Sequence, residues 1–154
     1  MNCRKKCFFI FSFSIFIAAI VVALFFSWQP VKIIAIHQYH NRSDILVDRY
    51  PWSDKGKIEW WRSNRFFLQE KYGIPKPDDT GDYSIAIWRF GDGYKALEKY
   101  DRLCFDDMPP PNNCIEKDRL MYITLTRDGE VSYWLNNTRY IQKAHGELVE
   151  VGFN

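Results

Sequence analysis

The sequence predicts an α+β protein, with an N-terminal transmembrane helix followed by a small antiparallel sheet packed with one principal helix. Three observations carry that expectation. An uncharged run of twenty residues stands near the amino end, one amphipathic segment carries helix start and stop signals, and several short β-branched runs are separated by turn residues. The 154 residues are 47% hydrophobic, 18% aromatic and 26% charged, with a formal net charge of +2. That is one domain's worth of chain, not a disordered tail or a multidomain assembly.

Phe8 to Ser27 contains no charge, and its only polar members are Ser12, Ser14 and Ser27. A helix of that length rises about 30 Å, the thickness of a bilayer core. Phe9, Phe11, Phe13, Ile15, Phe16 and Ile17 point all round its axis, whereas a core helix in a small domain shows one polar face. Arg4, Lys5 and Lys6 precede the run and favour a cytoplasmic amino end; Lys32 and Arg42 beyond it weaken the bias. The end of the apolar stretch, Leu24-Phe25-Phe26-Ser27-Trp28-Gln29-Pro30, lacks the small residues of a cleavage site. The expectation is therefore an uncleaved signal anchor, with the lipid bilayer as a partner. Residues 1–7 would be cytoplasmic, 8–27 would span, and 28–154 would form a domain on the far side of the membrane. Trp28 fits an interfacial ring, and Cys3 and Cys7 are read as reduced thiols near the inner face.

Beyond the anchor, Val31 to Tyr39 is a dense β-branched run that reads as a strand, broken at Asn41 to Asp44. Ile45 to Asp48 forms a short second strand that Pro51 ends. Ser53 or Asp54 caps a helix running to about Tyr72, with Gly73 as terminator and Pro75 just past it. Ile58, Trp61, Leu68 and Tyr72 share one face, which should pack on the sheet. Trp60 and Phe67 lie on a second stripe that either widens the buried face or stays exposed for a partner. After the polar loop Lys76 to Asp82, Tyr83 to Phe90 is apolar on both parities and reads as a central strand. Gly91, Asp92 and Gly93 make a turn, and Tyr94 to Phe105 fits either a helix or a strand ending in Cys104. Leu120 to Thr126 and Glu130 to Trp134 flank Arg127-Asp128-Gly129 as a hairpin. Leu148, Val149 and Val151 add a final edge.

Cys104 and Cys114 have nine residues between them and are the only cysteines after the apolar run. In an oxidising compartment they should pair, because Asn112 and Asn113 can reverse the chain and no redox or metal spacing is present. A ring of this size is worth roughly 3 kcal/mol in the chain-entropy model.

Once Arg4, Lys5 and Lys6 are set aside, 18 Lys and Arg face 19 Asp and Glu, so no field for nucleic acid is expected. Lys57 to Lys71 mixes Arg62, Arg65 and Lys71 with aromatics, but Glu59 and Glu70 interrupt it. His37 and His40 would point to opposite faces of one strand and cannot share a proton or a metal from that geometry. His145 is read as having no acidic or cysteine neighbour in sequence. No nucleophile elbow, phosphate loop, zinc helix or dinucleotide turn is present. The acids Asp78, Asp79 and Asp82, and the pair Asp106 and Asp107, lack the spacing of a calcium loop. No catalytic residue, metal ligand or cofactor is therefore expected.

The segments Lys57 to Trp61, Lys71 to Pro75, Phe90 to Tyr94, Leu103 to Asp107 and Cys114 to Lys117, in this order behind the apolar run, resemble the domain-of-unknown-function 943 family of enterobacterial membrane proteins. The resemblance implies a Gram-negative inner membrane and assigns no catalytic or ligand residue. It also implies, by association with contact-dependent and type VI secretion loci, an immunity role against a secreted bacterial toxin.

The leading expectation is thus a non-enzymatic binding domain with a protein partner in the periplasm, and immunity is its sharpest form. A structural or regulatory subunit of an envelope complex, associating through its spanning helix, comes second; a periplasmic hydrolase comes third. Trp60, Phe67, Asp106 and Asp107 are the candidate partner-binding residues, because aromatic anchors and a stapled loop suit an interface.

Overall fold

The computed structural model describes residues 12–22, 30–99 and 101–152. Residues 12–22 are helical and belong to a unit separate from the one that begins at Val31. Among the described residues, no helix is long and apolar enough to cross a membrane. Residues 8–11 and 23–27 of the expected span lie outside the described residues, as do Cys3, Arg4, Lys5, Lys6, Cys7 and Trp28. This finding corrects the expected transmembrane anchor. The single-pass topology, the bilayer partner and the assignment of cytoplasmic and periplasmic ends fall with it.

The second unit is built on seven strands: β1 (Lys32–Tyr39), β2 (Arg42–Asp48), β3 (Ser84–Arg89), β6 (Arg119–Leu125), β7 (Val131–Trp134), β8 (Arg139–Gln142) and β9 (Leu148–Val151). They form one sheet in the order β1-β2-β3-β6-β7-β8-β9, and two further strands, β4 (Leu103–Cys104) and β5 (Cys114–Ile115), form a separate hairpin. All neighbours in the large sheet are antiparallel except β2 and β3, which run parallel. The sheet is therefore mixed, not antiparallel as expected. Helix α1 (Asp54–Tyr72) connects β2 to β3, and a helical crossover brings the chain back in the same direction, whereas a tight turn reverses it.

The α1 boundaries follow from local chemistry. Ser53 accepts a hydrogen bond from the Gly56 amide at 3.1 Å, and Gly73 closes the last turn at φ 66°, where a side chain would be strained. Ile58, Trp61 and Leu68 are buried beneath the helix against Ile45, Val47, Ile85, Ile87, Met121, Ile123 and Tyr133. Leu46, Ala86 and Trp88, on the alternate parity of β2 and β3, pack on the opposite face with Phe105 and Ile115. The sheet thus lies between α1 and the small hairpin, which explains why β2 and β3 are apolar on both parities.

The hairpin is stapled by a Cys104–Cys114 disulfide across directly paired residues, and Lys95 bridges to Cys114 on its other side. Tyr94 to Phe105 is therefore neither a helix nor one long strand. The β1–β2 turn is tighter than expected. Strand β2 begins at Arg42, so His40 and Asn41 alone reverse the chain, with His40 at φ 52°. Strand β8, between the expected hairpin and the final edge, had no expectation.

Candidate functional site

Strand β1 lies at one end of the sheet order, and among the described residues no strand pairs with its outer side. Its register against β2 shifts between Ile33 and Ala35, leaving Ile34 as the extra residue of a bulge. Along this edge runs a cavity of about 470 Å³ lined by Ile33, Ile34, Ala35, Ile36, Gln38, Tyr72 and Asp107. Successive strand residues point to opposite faces, so a cavity touching four in a row follows the edge of the strand and not one face of the sheet.

The two walls come from opposite layers. Tyr72 is the last residue of α1, and its carbonyl accepts a hydrogen bond from the Gln38 amide nitrogen at 3.0 Å, tying the helix end to β1. Asp107 comes from the stapled loop on the other face. Its carboxylate oxygens lie 2.8 and 2.9 Å from Nδ1 of His37, while Nε2 of His37 lies 2.8 Å from the Tyr94 hydroxyl. Phe105 stacks flat on the imidazole at 3.8 Å between centroids. His37 is only 7% exposed and both ring nitrogens are engaged. A Tyr94 hydroxyl that donates to Nε2 leaves the Nδ1 proton for Asp107. Burial, with the Asp107 carboxylate as a lesser cause, raises the Tyr94 hydroxyl above the ordinary tyrosine range.

Beside this latch a second cavity of about 210 Å³ contains Tyr39, Arg42, Asp44, Asp106 and Asp107 among its lining. Asp44 faces His37 directly across the β1–β2 ladder. It accepts two hydrogen bonds of 2.9 Å from Arg42 and one of 2.7 Å from the buried Trp88 indole. Those bonds to Asp44 are the main reason the Arg42 guanidinium is held above its usual pKa. Both carboxylate oxygens of the buried Asp44 thus have donors.

The four candidate residues are scattered. Trp60 is partly buried against the core, edge-on to Tyr50 at 5.1 Å, and Phe67 remains 46% exposed on α1 beside Tyr72. Asp106 is exposed next to the latch, and Asp107 is part of it. The structure brings Asp106 and Asp107 to one groove and packs Trp60 against the core. His37, Tyr94, Gln38 and Asp44 were not singled out as partners. The one signal for them was the placement of Asp106 and Asp107 beside a cysteine that would fix them. Among the described residues, no group of three or more His, Cys, Asp or Glu converges as a metal-ligand set.

A model of the family described as "Enterobacterial putative membrane protein (DUF943)" matches residues 3–152. The chain belongs to the DUF943 family. The expected resemblance therefore holds, and it extends past Lys117 through the β6–β9 meander of this DUF943 chain. No curated protein and no solved structure matches it. The family description supplies no substrate or ligand, so the reading of this DUF943 chain rests on its own geometry.

Proposed function

We propose that this DUF943 chain is a non-catalytic recognition module that accepts an extended peptide segment as an eighth strand along β1. The observation that carries this reading is the cavity that follows four consecutive residues of a strand edge unpaired among the described residues, between two fixed walls. Strand addition draws affinity from main-chain hydrogen bonds along such an edge, and the flanking side chains give specificity. The two edges of the sheet differ in the way this use requires. β9 is four residues long and carries Glu150, the short charged form that resists pairing. β1 is eight residues long, with Lys32 as its one Lys, Arg, Asp or Glu.

The engagement of His37 holds the walls of the groove in place. Here Nε2 is held by Tyr94 and Nδ1 by Asp107, so the imidazole ties three segments together. This reading replaces the membrane-tethered roles set aside with the spanning helix.

Panning a displayed library of random linear octapeptides against the full chain tests it. Enriched peptides should be rich in Val, Ile, Thr and Tyr, and the bound peptide should shift the backbone amide resonances of Ile33 to Gln38. Enriched peptides that leave those resonances unmoved would overturn the reading.

A further inference from the structure

We infer that the segment accepted along β1 carries a cationic side chain at the end of the groove that lies beside Asp107. This inference rests on the strand-accepting reading and names the chemistry of its ligand. The cavity along Ile33 to Ile36 and the smaller cavity beside the latch share Gln38 and Asp107, so the two adjoin. The first presents aliphatic side chains and strand backbone. The second presents three carboxylates, those of Asp44, Asp106 and Asp107. Arg42 is its one Lys or Arg, and that guanidinium is turned onto Asp44 by two hydrogen bonds.

Two carboxylates therefore face the mouth with no lysine or arginine of the lining directed at them. Asp107 has a side chain 48% exposed although it holds His37, and Asp106 is exposed. A carboxylate that already accepts from one donor retains lone pairs for another. An incoming Lys or Arg would complete that shell, and an incoming acid would be repelled. At the opposite end of the strand the exposed Lys32 favours an acidic or neutral ligand residue. The ligand is thus polarised, with an apolar β-forming stretch and a basic residue at whichever of its ends meets Asp107. Complementary charge of this kind fixes register and direction more than it adds affinity.

Two synthetic octapeptides decide the matter. Each has the same alternating Val/Thr stretch, and one carries a Lys at both ends, the other a Glu at both ends, so that the result does not depend on strand direction. Each is titrated by anisotropy into the full chain. The Lys peptide should bind about fivefold more tightly at low salt, a ratio that exposed charge pairs can supply, and the preference should shrink as salt is raised. Asp106→Lys, at an exposed position, should abolish the preference while near-ultraviolet circular dichroism stays unchanged. Equal affinity for both peptides would overturn the charge assignment and leave the groove reading standing. Binding of neither would overturn both. Self-association of the chain that the Lys peptide competes away would make a second copy the occupant and overturn the inference.

Discussion

Asp107 and His37 stand 70 residues apart in sequence, and their side chains meet at 2.8 Å across the boundary between the stapled loop and the first strand. The carboxylate satisfies Nδ1, the Tyr94 hydroxyl satisfies Nε2, and Phe105 covers the ring. Asp107→Ala would leave a buried ring nitrogen without its partner. Such an orphan costs about 1–3 kcal/mol. Denaturant unfolding should show a loss in that range, and amide exchange in residues 105–113 should accelerate more than in α1. A loss spread evenly over both would contradict the latch.

The disulfide acts on the same loop. Closing a loop with a sequence separation of 10 restrains the unfolded chain by roughly 3 kcal/mol in the entropy model. Replacing Cys104 and Cys114 together with Ser should therefore lower stability by about 2–4 kcal/mol. The Phe105–His37 stack and the Asn113 side-chain bond to the Phe105 carbonyl remain to position the loop, so the fold should survive. Unchanged unfolding after reduction would contradict the staple's contribution.

Asp44 predicts a different signature. Its carboxylate anchors the Trp88 indole at 2.7 Å and the Arg42 fork at 2.9 Å. Asp44→Ala should cost about 2–4 kcal/mol, since hydrogen bonds to a charged group are the strong ones and a buried indole N–H is orphaned. The Trp88 contribution to near-ultraviolet circular dichroism should change with it. Trp88→Phe removes the orphaned donor, so adding it to Asp44→Ala should cost less than the two single changes added together.

Stability at high pH should fall for a definable reason. Burial raises the Tyr133 hydroxyl to about 12, and burial also lifts Tyr50 well above the usual tyrosine value. In the unfolded chain a tyrosine ionises near 10. Below about pH 10 both states hold the proton and stability is unaffected. Between about 10 and 12 the unfolded state binds fewer protons than the folded one, so stability declines as pH rises. Urea midpoints measured on either side of that window, with tyrosinate absorbance as the ionisation readout, check the sign. Tyr133→Phe should flatten the decline.

The parts of the fold legible in the sequence were those set by near neighbours. Ser53 and Gly73 marked the helix, and Arg127-Asp128-Gly129 marked the hairpin that β6 and β7 form. The parallel β2–β3 pairing was missed because the sequence signals for a strand do not say in which direction it is laid down. The Asn41 to Asp44 stretch looked like a break because Asp44 is charged. Its charge is instead accommodated inside the sheet by Arg42 and Trp88, and the second partner is 44 residues away. His37 was judged against His40 along its own strand, whereas its partners arrive from the layer above. The anchor was read from an apolar run and its basic flank, and among the described residues no helix is long and apolar enough to carry that reading.

The claim that β1 accepts a strand is tested most directly by amide hydrogen exchange along Ile33 to Gln38, with and without a saturating Val/Thr octapeptide with Lys at both ends. A new partner strand should slow exchange of the outward-facing amides by about tenfold or more, and leave Leu148 to Val151 on the far edge unchanged. A peptide that binds while the β1 amides exchange as before would contradict the account.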